Sequence, residues 1–181
     1  MQTLFCHSSN LAPADVSVEA SVSIVDAGNL LFSYRLKGKD ILFPDNSVSP
    51  CRKDKLWTHT CCEAFLALSG KTAYREFNFS PAGDWAVYDF SDYRRESLNA
   101  RLSAVPEIKI VSTKNQLELT ALVVSADWQD FSPSPQIGLS VIIESKVGQT
   151  PSATSQLSYW SLHHVGERPD FHHRNSFIYS L

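Results

Sequence analysis

Methionine occurs once in this chain of 181 residues, at position 1, and nowhere do eighteen apolar residues run together. The second absence excludes a membrane-spanning helix legible from hydropathy. The start, Met-Gln-Thr-Leu-Phe-Cys-His-Ser-Ser, also lacks the basic residues and unbroken apolar segment of a secretory leader, so a soluble, cytoplasmic protein is expected. Charge of one sign is equally scarce. Sixteen basic and nineteen acidic residues leave a formal net charge of -3, too little to gather nucleic acid or an acidic membrane surface. The short cluster Arg52, Lys53 and Lys55 reads as a solvated loop. Absent too are a Ser or Cys nucleophile motif, a phosphate-cradling glycine loop and an HExxH-type zinc pattern.

Long amphipathic helices are missing, and short alternating runs recur in their place. Strands are predicted at 16–25, 30–37, 56–68, 74–80, 85–90, 108–112, 116–124, 137–144 and 156–162, with a terminal strand at 177–181. The breaks Ala27-Gly28-Asn29, Lys37-Gly38-Lys39, Ser69-Gly70-Lys71 and Pro81-Ala82-Gly83 supply turn geometry. Residues 92–103 space Tyr93, Leu98 and Leu102 at helical intervals, so a short helix or a meandering loop is expected there. Ala126 to Phe131 predicts a helical turn, stopped by Pro133 and Pro135. With no repeat or linker, residues 1–181 form one domain: all-β, an antiparallel two-sheet β-sandwich, jelly-roll-like. Cys6, Cys51, Cys61 and Cys62 lack zinc-knuckle spacing, and adjacent strand cysteines point apart, so buried or half-buried free thiols are expected.

Chemistry concentrates in two neighbouring runs. In Leu56-Trp-Thr-His-Thr-Cys-Cys-Glu-Ala-Phe65 the period of two puts Trp57, His59, Cys61 and Glu63 on one side. In Tyr74-Arg-Glu-Phe-Asn-Phe-Ser80 it separates Tyr74, Glu76 and Asn78 from Phe77 and Phe79. If the apolar sides share a core, Trp57, His59, Glu63, Glu76 and Asn78 gather on the opposite face, and an aromatic-plus-polar concave face is the form of a small-ligand site. The plain alternatives are that Trp57 caps the sandwich and that Glu63 pairs with Arg75, Arg94 or Arg95 across the strands.

These runs resemble DOMON-like domains related to family 9 carbohydrate-binding modules, over most of the chain. The residues carrying the resemblance are Trp57 six before Glu63, the Glu63-x-Phe65 strand, the aromatic strand from Phe77 toward Gly83, the closing Trp160 and the final Phe177. Ser158 to His164 and Arg168 to His173 are similar to the DOMON-like subset in particular. The resemblance implies a sugar held between two rings, with Trp57 as one and Phe171 as the other, and with Glu63 and Asn78 at its hydroxyls. Two departures stand out. The second ring position carries Phe rather than Trp, and Thr60 stands where an acidic residue is expected.

Ligand contacts are therefore expected from Trp57, His59, Glu63, Glu76, Asn78, Arg94, Trp160, Phe171 and His172. Trp57, Phe171 and Trp160 would offer stacking surface, the carboxyls and amide would hydrogen-bond, and His59, Arg94 and His172 would complete the rim. His163-His164 and His172-His173 complete no metal motif, since adjacent residues on a strand diverge, so they read as structural or exposed. No cofactor is expected; haem, the other DOMON ligand, would have to bind without an internal methionine, and calcium could support the loops. The expected function is non-catalytic binding of a saccharide or sugar-derived metabolite. The alternatives are a protein-interaction or self-association module, a haem-binding domain, or a carbohydrate-active enzyme using Glu63 and Glu76 as a carboxylate pair.

Overall fold

The computed structural model describes residues 1–97, 100–147 and 154–181. Its strands are β1 (Gln2–Cys6), β2 (Ser17–Val25), β3 (Asn29–Lys37), β4 (Cys61–Leu68), β5 (Tyr74–Phe79), β6 (Trp85–Asp92), β7 (Arg95–Ser97), β8 (Glu107–Thr113), β9 (Gln116–Val123), β10 (Pro135–Val147) and β11 (Thr154–Ser161). All pairings among these strands are antiparallel, in the order β7-β6-β5-β4-β10-β11-β1-β2-β3-β9-β8. The all-β class predicted from periodicity is what the chain adopts. The two layers are arms of one continuous sheet: β1 pairs with β2 through Gln2, Thr3 and Leu4, then with β11 through Phe5 and Cys6.

Alternation explains how the arms close on each other. Val18, Ala20 and Val22 of β2, Leu30, Phe32, Tyr34 and Leu36 of β3, and Leu117, Leu119, Ala121 and Val123 of β9 point inward. They meet Cys62, Ala64 and Leu66 of β4, Phe77 and Phe79 of β5, and Leu139, Val141 and Ile143 of β10 in one core. The Phe32 ring lies 5.7 Å from Phe79 and 6.1 Å from Phe77 across this interior. The Tyr34 hydroxyl donates to the Glu63 carbonyl over the same gap at 2.9 Å.

The outer faces of the two arms differ. On β2, β3 and β9 the outward positions are partly exposed, the pattern of a sheet with one wet side. On β4, β5 and β6 nearly every residue is buried on both sides. A second apolar cluster covers this outer face: Phe65, Tyr74, Tyr88, Phe90 and Ile142 from the strands, with Phe171 and Phe177 from the C-terminal segment. Phe177 fits because Gly138 of β10 leaves it room; a Cβ there would stand 2.8 Å from the Phe177 ring. Arg174 anchors the same segment, donating to the Leu68 carbonyl at 3.1 Å and to Gln136 Oε1 at 2.6 Å.

Several expectations are corrected. The strand predicted from Leu56 starts at Cys61, because Leu56–Thr58 turns as 3-10 helix after Lys55 adopts a left-handed backbone (φ 62°). The terminal strand 177–181 reduces to one bridge between Tyr179 and Ile137. Where a short helix or a meandering loop was expected, β7 (Arg95–Ser97) folds back on β6 as a β hairpin; Leu98, the middle of the expected helical spacing, lies outside the described residues. The turn at 126–131 is present as 3-10 helix at Ser125–Asp127 and Gln129–Phe131. All four cysteines are free; Cys61 and Cys62 are buried as expected, whereas Cys51 is exposed. No helix among the described residues is long and apolar enough to cross a membrane.

Candidate functional site

A cavity of about 320 Å³ opens on the outer face of the β4–β6 arm, lined by Trp57, Glu63, Glu76, Tyr88, Phe90, Arg94, Glu96, Ile142, Tyr159, Pro169, Phe171 and His172. Register brings its two carboxyls together. Glu63 is opposite Asn78 and Phe65 is opposite Glu76, so Glu63 and Glu76 are diagonal neighbours on one face of the β4–β5 pair. Both are almost wholly buried, at 3% and 4% exposure.

Their hydrogen bonds are few and specific. Asn78 Nδ2 donates to Glu76 Oε1 at 2.7 Å. Ser140, on β10, gives Glu63 Oε2 one long hydrogen bond of 3.4 Å. Burial, and next the Glu76 charge, push Glu63 well above the usual carboxylate range. Burial pushes Glu76 up to about 7, against the opposing pull of the Asn78 amide and Arg94. Near neutrality the pair therefore presents a protonated carboxyl, which can donate and accept, beside a carboxyl that exchanges its proton.

His172 reaches this pair from the C-terminal segment. Its Nε2 lies 3.7 Å from Glu76 Oε2, and its ring meets Phe65 and Phe90 edge-on at 5.3 and 5.1 Å. Burial and then Arg94 push the imidazole down to about 4, so it is neutral where Glu76 titrates. The Tyr74 hydroxyl accepts from the Arg94 backbone N–H at 3.1 Å and lies 2.8 Å from His172 Nδ1. With that hydroxyl donating to Nδ1, the ring proton sits on Nε2, facing Glu76. Arg94, in a left-handed turn position (φ 51°) between β6 and β7, sends its guanidinium to Asp170 Oδ1 at 3.0 Å. Tyr93 reaches Asp170 Oδ2 at 2.8 Å, so two side chains of the hairpin clamp the segment that carries His172.

Aromatic rings make the rest of the wall. Trp57, 38% exposed, meets Tyr88 at 5.7 Å with the planes 71° apart. Tyr159 and Phe171 pack at 6.1 Å. The Tyr88 hydroxyl donates to Asp54 at 2.9 Å. Thr60, where an acidic residue was expected, braces the approach to β4: its hydroxyl donates to the Leu42 carbonyl at 2.6 Å and accepts from the Glu144 N–H at 3.0 Å.

Six of the nine residues singled out in the sequence line the cavity: Trp57, Glu63, Glu76, Arg94, Phe171 and His172. Asn78 stands behind it, buried, orienting Glu76. His59 turns away to pair with Glu144 at 2.7 Å, because it precedes the strand whose alternation was to aim it. Trp160 points inward to the core, where its indole donates to Ser158 Oγ at 3.0 Å, so it offers no stacking surface. Glu63 makes no ion pair among the described residues; of its three candidate partners, Arg75 pairs with Asp89, Arg94 pairs with Asp170, and Arg95 does not reach Glu63. The cavity also takes Tyr88 and Phe90 from β6 and Tyr159 from β11; alternation puts Tyr88 and Phe90 on one face with Ala86, but apolar residues at both parities leave open which face is the outer one. Among the described residues no group of three or more His, Cys, Asp or Glu is arranged to hold a metal.

No family model matches the sequence, and no curated protein matches it. Among solved structures, the crystal structure of a candidate carbohydrate-binding protein from Bacteroides uniformis ATCC 8492 is similar, with a TM-score of 0.54 and 16% sequence identity. The match covers 98% of this chain and 83% of that one. At that identity the likeness is one of fold, along nearly the whole chain; it carries neither the DOMON-like nor the family 9 assignment.

Proposed function

We propose that this chain is a single, non-catalytic binding domain whose cavity holds a small saccharide or sugar-derived metabolite. The observation that carries the reading is the pairing of two buried carboxyls with an aromatic corner around one open cavity. A sugar ring offers C–H groups to an indole or phenol face and hydroxyls to carboxyls, so Trp57 and Tyr88 complement one side of it. Glu63, Glu76, Arg94 and His172 complement the other. The fold likeness to a candidate carbohydrate-binding protein supports the same ligand class, as does the resemblance to DOMON-like domains and family 9 modules at Trp57, Glu63 and Phe171, all of which line the cavity.

Calorimetric titration with a panel of mono- and disaccharides tests this. Saturable heat that disappears in Glu63→Gln/Glu76→Gln protein is the expected result; no heat from any sugar, together with a doubled mass on sizing, would favour the self-association module instead. A second reading, glycoside hydrolysis, draws on one observation: Glu76 sits near 7, where a general acid works best, beside a second carboxyl. Release of nitrophenol from aryl glycosides, abolished by Glu76→Gln, would replace binding with turnover.

A further inference from the structure

The charges around the cavity do not balance. Arg94 is the cavity's one cation among the described lining residues once His172 is neutral, and its guanidinium is engaged by Asp170. Glu63, Glu76 and Glu96 line the same cavity with no cation paired to them among the described residues. Glu63 is the sharper case. It is buried, it faces the cavity, and its Oε1 accepts no side-chain hydrogen bond among the described residues, whereas Oε2 has only the long contact with Ser140. A buried carboxyl left this way keeps its proton until a donor or a positive charge arrives. The walls suit a positive charge as well. Trp57 and Tyr88 meet edge to face at 71°, and Phe90, Tyr159 and Phe171 line the remainder; aromatic faces attract cations through their quadrupoles, as the Arg52 guanidinium 5.6 Å from the Tyr88 centroid already shows.

We infer that the saccharide held in this cavity carries a protonated amine, an amino sugar, with its ammonium between Glu63 and Glu76 and against the Trp57–Tyr88 corner. The inference rests on the proposed saccharide reading and deepens it. The groups facing that position are Glu63 from β4, Glu76 and Tyr74 from β5, Tyr88 from β6, Glu96 from β7, Arg94 from the β6–β7 turn, Tyr159 from β11, and His172 with Asp170 from the C-terminal segment. The ammonium's arrival strips a proton from the carboxyl pair, and that proton passes to solvent.

Calorimetry at pH 6, where an amino sugar is charged, tests the inference with glucose, N-acetylglucosamine and glucosamine. Glucosamine is expected to bind at least about tenfold tighter than either neutral sugar, the gain of one charge-assisted hydrogen bond over a neutral one. Titration in two buffers of different ionisation enthalpy should show net proton release for glucosamine alone. Glu76→Gln should remove both the preference for glucosamine and the proton release. Neutral sugars that bind as tightly as glucosamine overturn the inference and leave the saccharide reading standing. Silence from all three overturns both.

Discussion

Glu76 combines burial with a single good hydrogen-bond donor, and its protonation is tied to folding for that reason. Its folded value, about 7, lies above the ordinary 4.5. A carboxyl shifted upward favours the folded state while protonated, so its contribution is whole below about pH 4.5, declines as pH rises, and is gone above about pH 7. The size is on the order of 3 kcal/mol. Urea denaturation of wild type and Glu76→Gln between pH 4.5 and 8 should show the wild type losing stability relative to the variant across that window; parallel curves would contradict the account. Trp57 belongs to the same scale. It is 38% exposed and touches Tyr88 edge-on outside the main core. Trp57→Ala should weaken ligand binding by about 1–3 kcal/mol while leaving the melting temperature nearly unchanged, as calorimetry and thermal melts would report.

Among the elements, β10 and the C-terminal segment decide whether the cavity has a second wall. Gly138 admits the Phe177 ring, Ile137 exchanges two backbone hydrogen bonds with Tyr179, and Arg174 ties the segment to Leu68 and Gln136. Gly138→Ala forces the ring away from a 2.8 Å approach. It should cost about 1–3 kcal/mol in denaturant unfolding and raise the Kd for ligand, because Phe171 and His172 ride on the displaced segment. The alternation of β4 and β5 was legible in the sequence, and with it the meeting of Glu63, Glu76 and Asn78. Extending that alternation back to Leu56 puts Trp57 and His59 on the same face, but it crosses a turn that Lys55 starts with a positive φ, and nothing in the residue types Lys-Leu-Trp announces it. Trp57 reaches the cavity from the turn, and His59 does not. Trp160 and Tyr159 show a different limit. Alternation says that one faces in and the other out, but two large aromatics carry no label for which, and the pairing of Trp160 with Val141 decides it.

For the molecule as a whole, the antiparallel class followed from short alternating runs, but the continuity of the sheet did not. It depends on β1, whose Gln-Thr-Leu-Phe-Cys has too few residues to show a pattern, and on the bridge it makes between arms. Leu4 is the inward residue of that strand, 1% exposed in the shared core. Leu4→Ala should cost about 2–5 kcal/mol, measured by urea denaturation, with circular dichroism and tryptophan fluorescence still coincident because both arms lose the same support. Separate transitions would mean that the arms fold independently.

The join at β1 also sets an order in time. Phe5 finds its partner in Ser161, and Cys6 in Trp160, so this end of β1 stays uncovered until β11 has been made. Until then that end of β1 is an open template on which a neighbouring copy can pair.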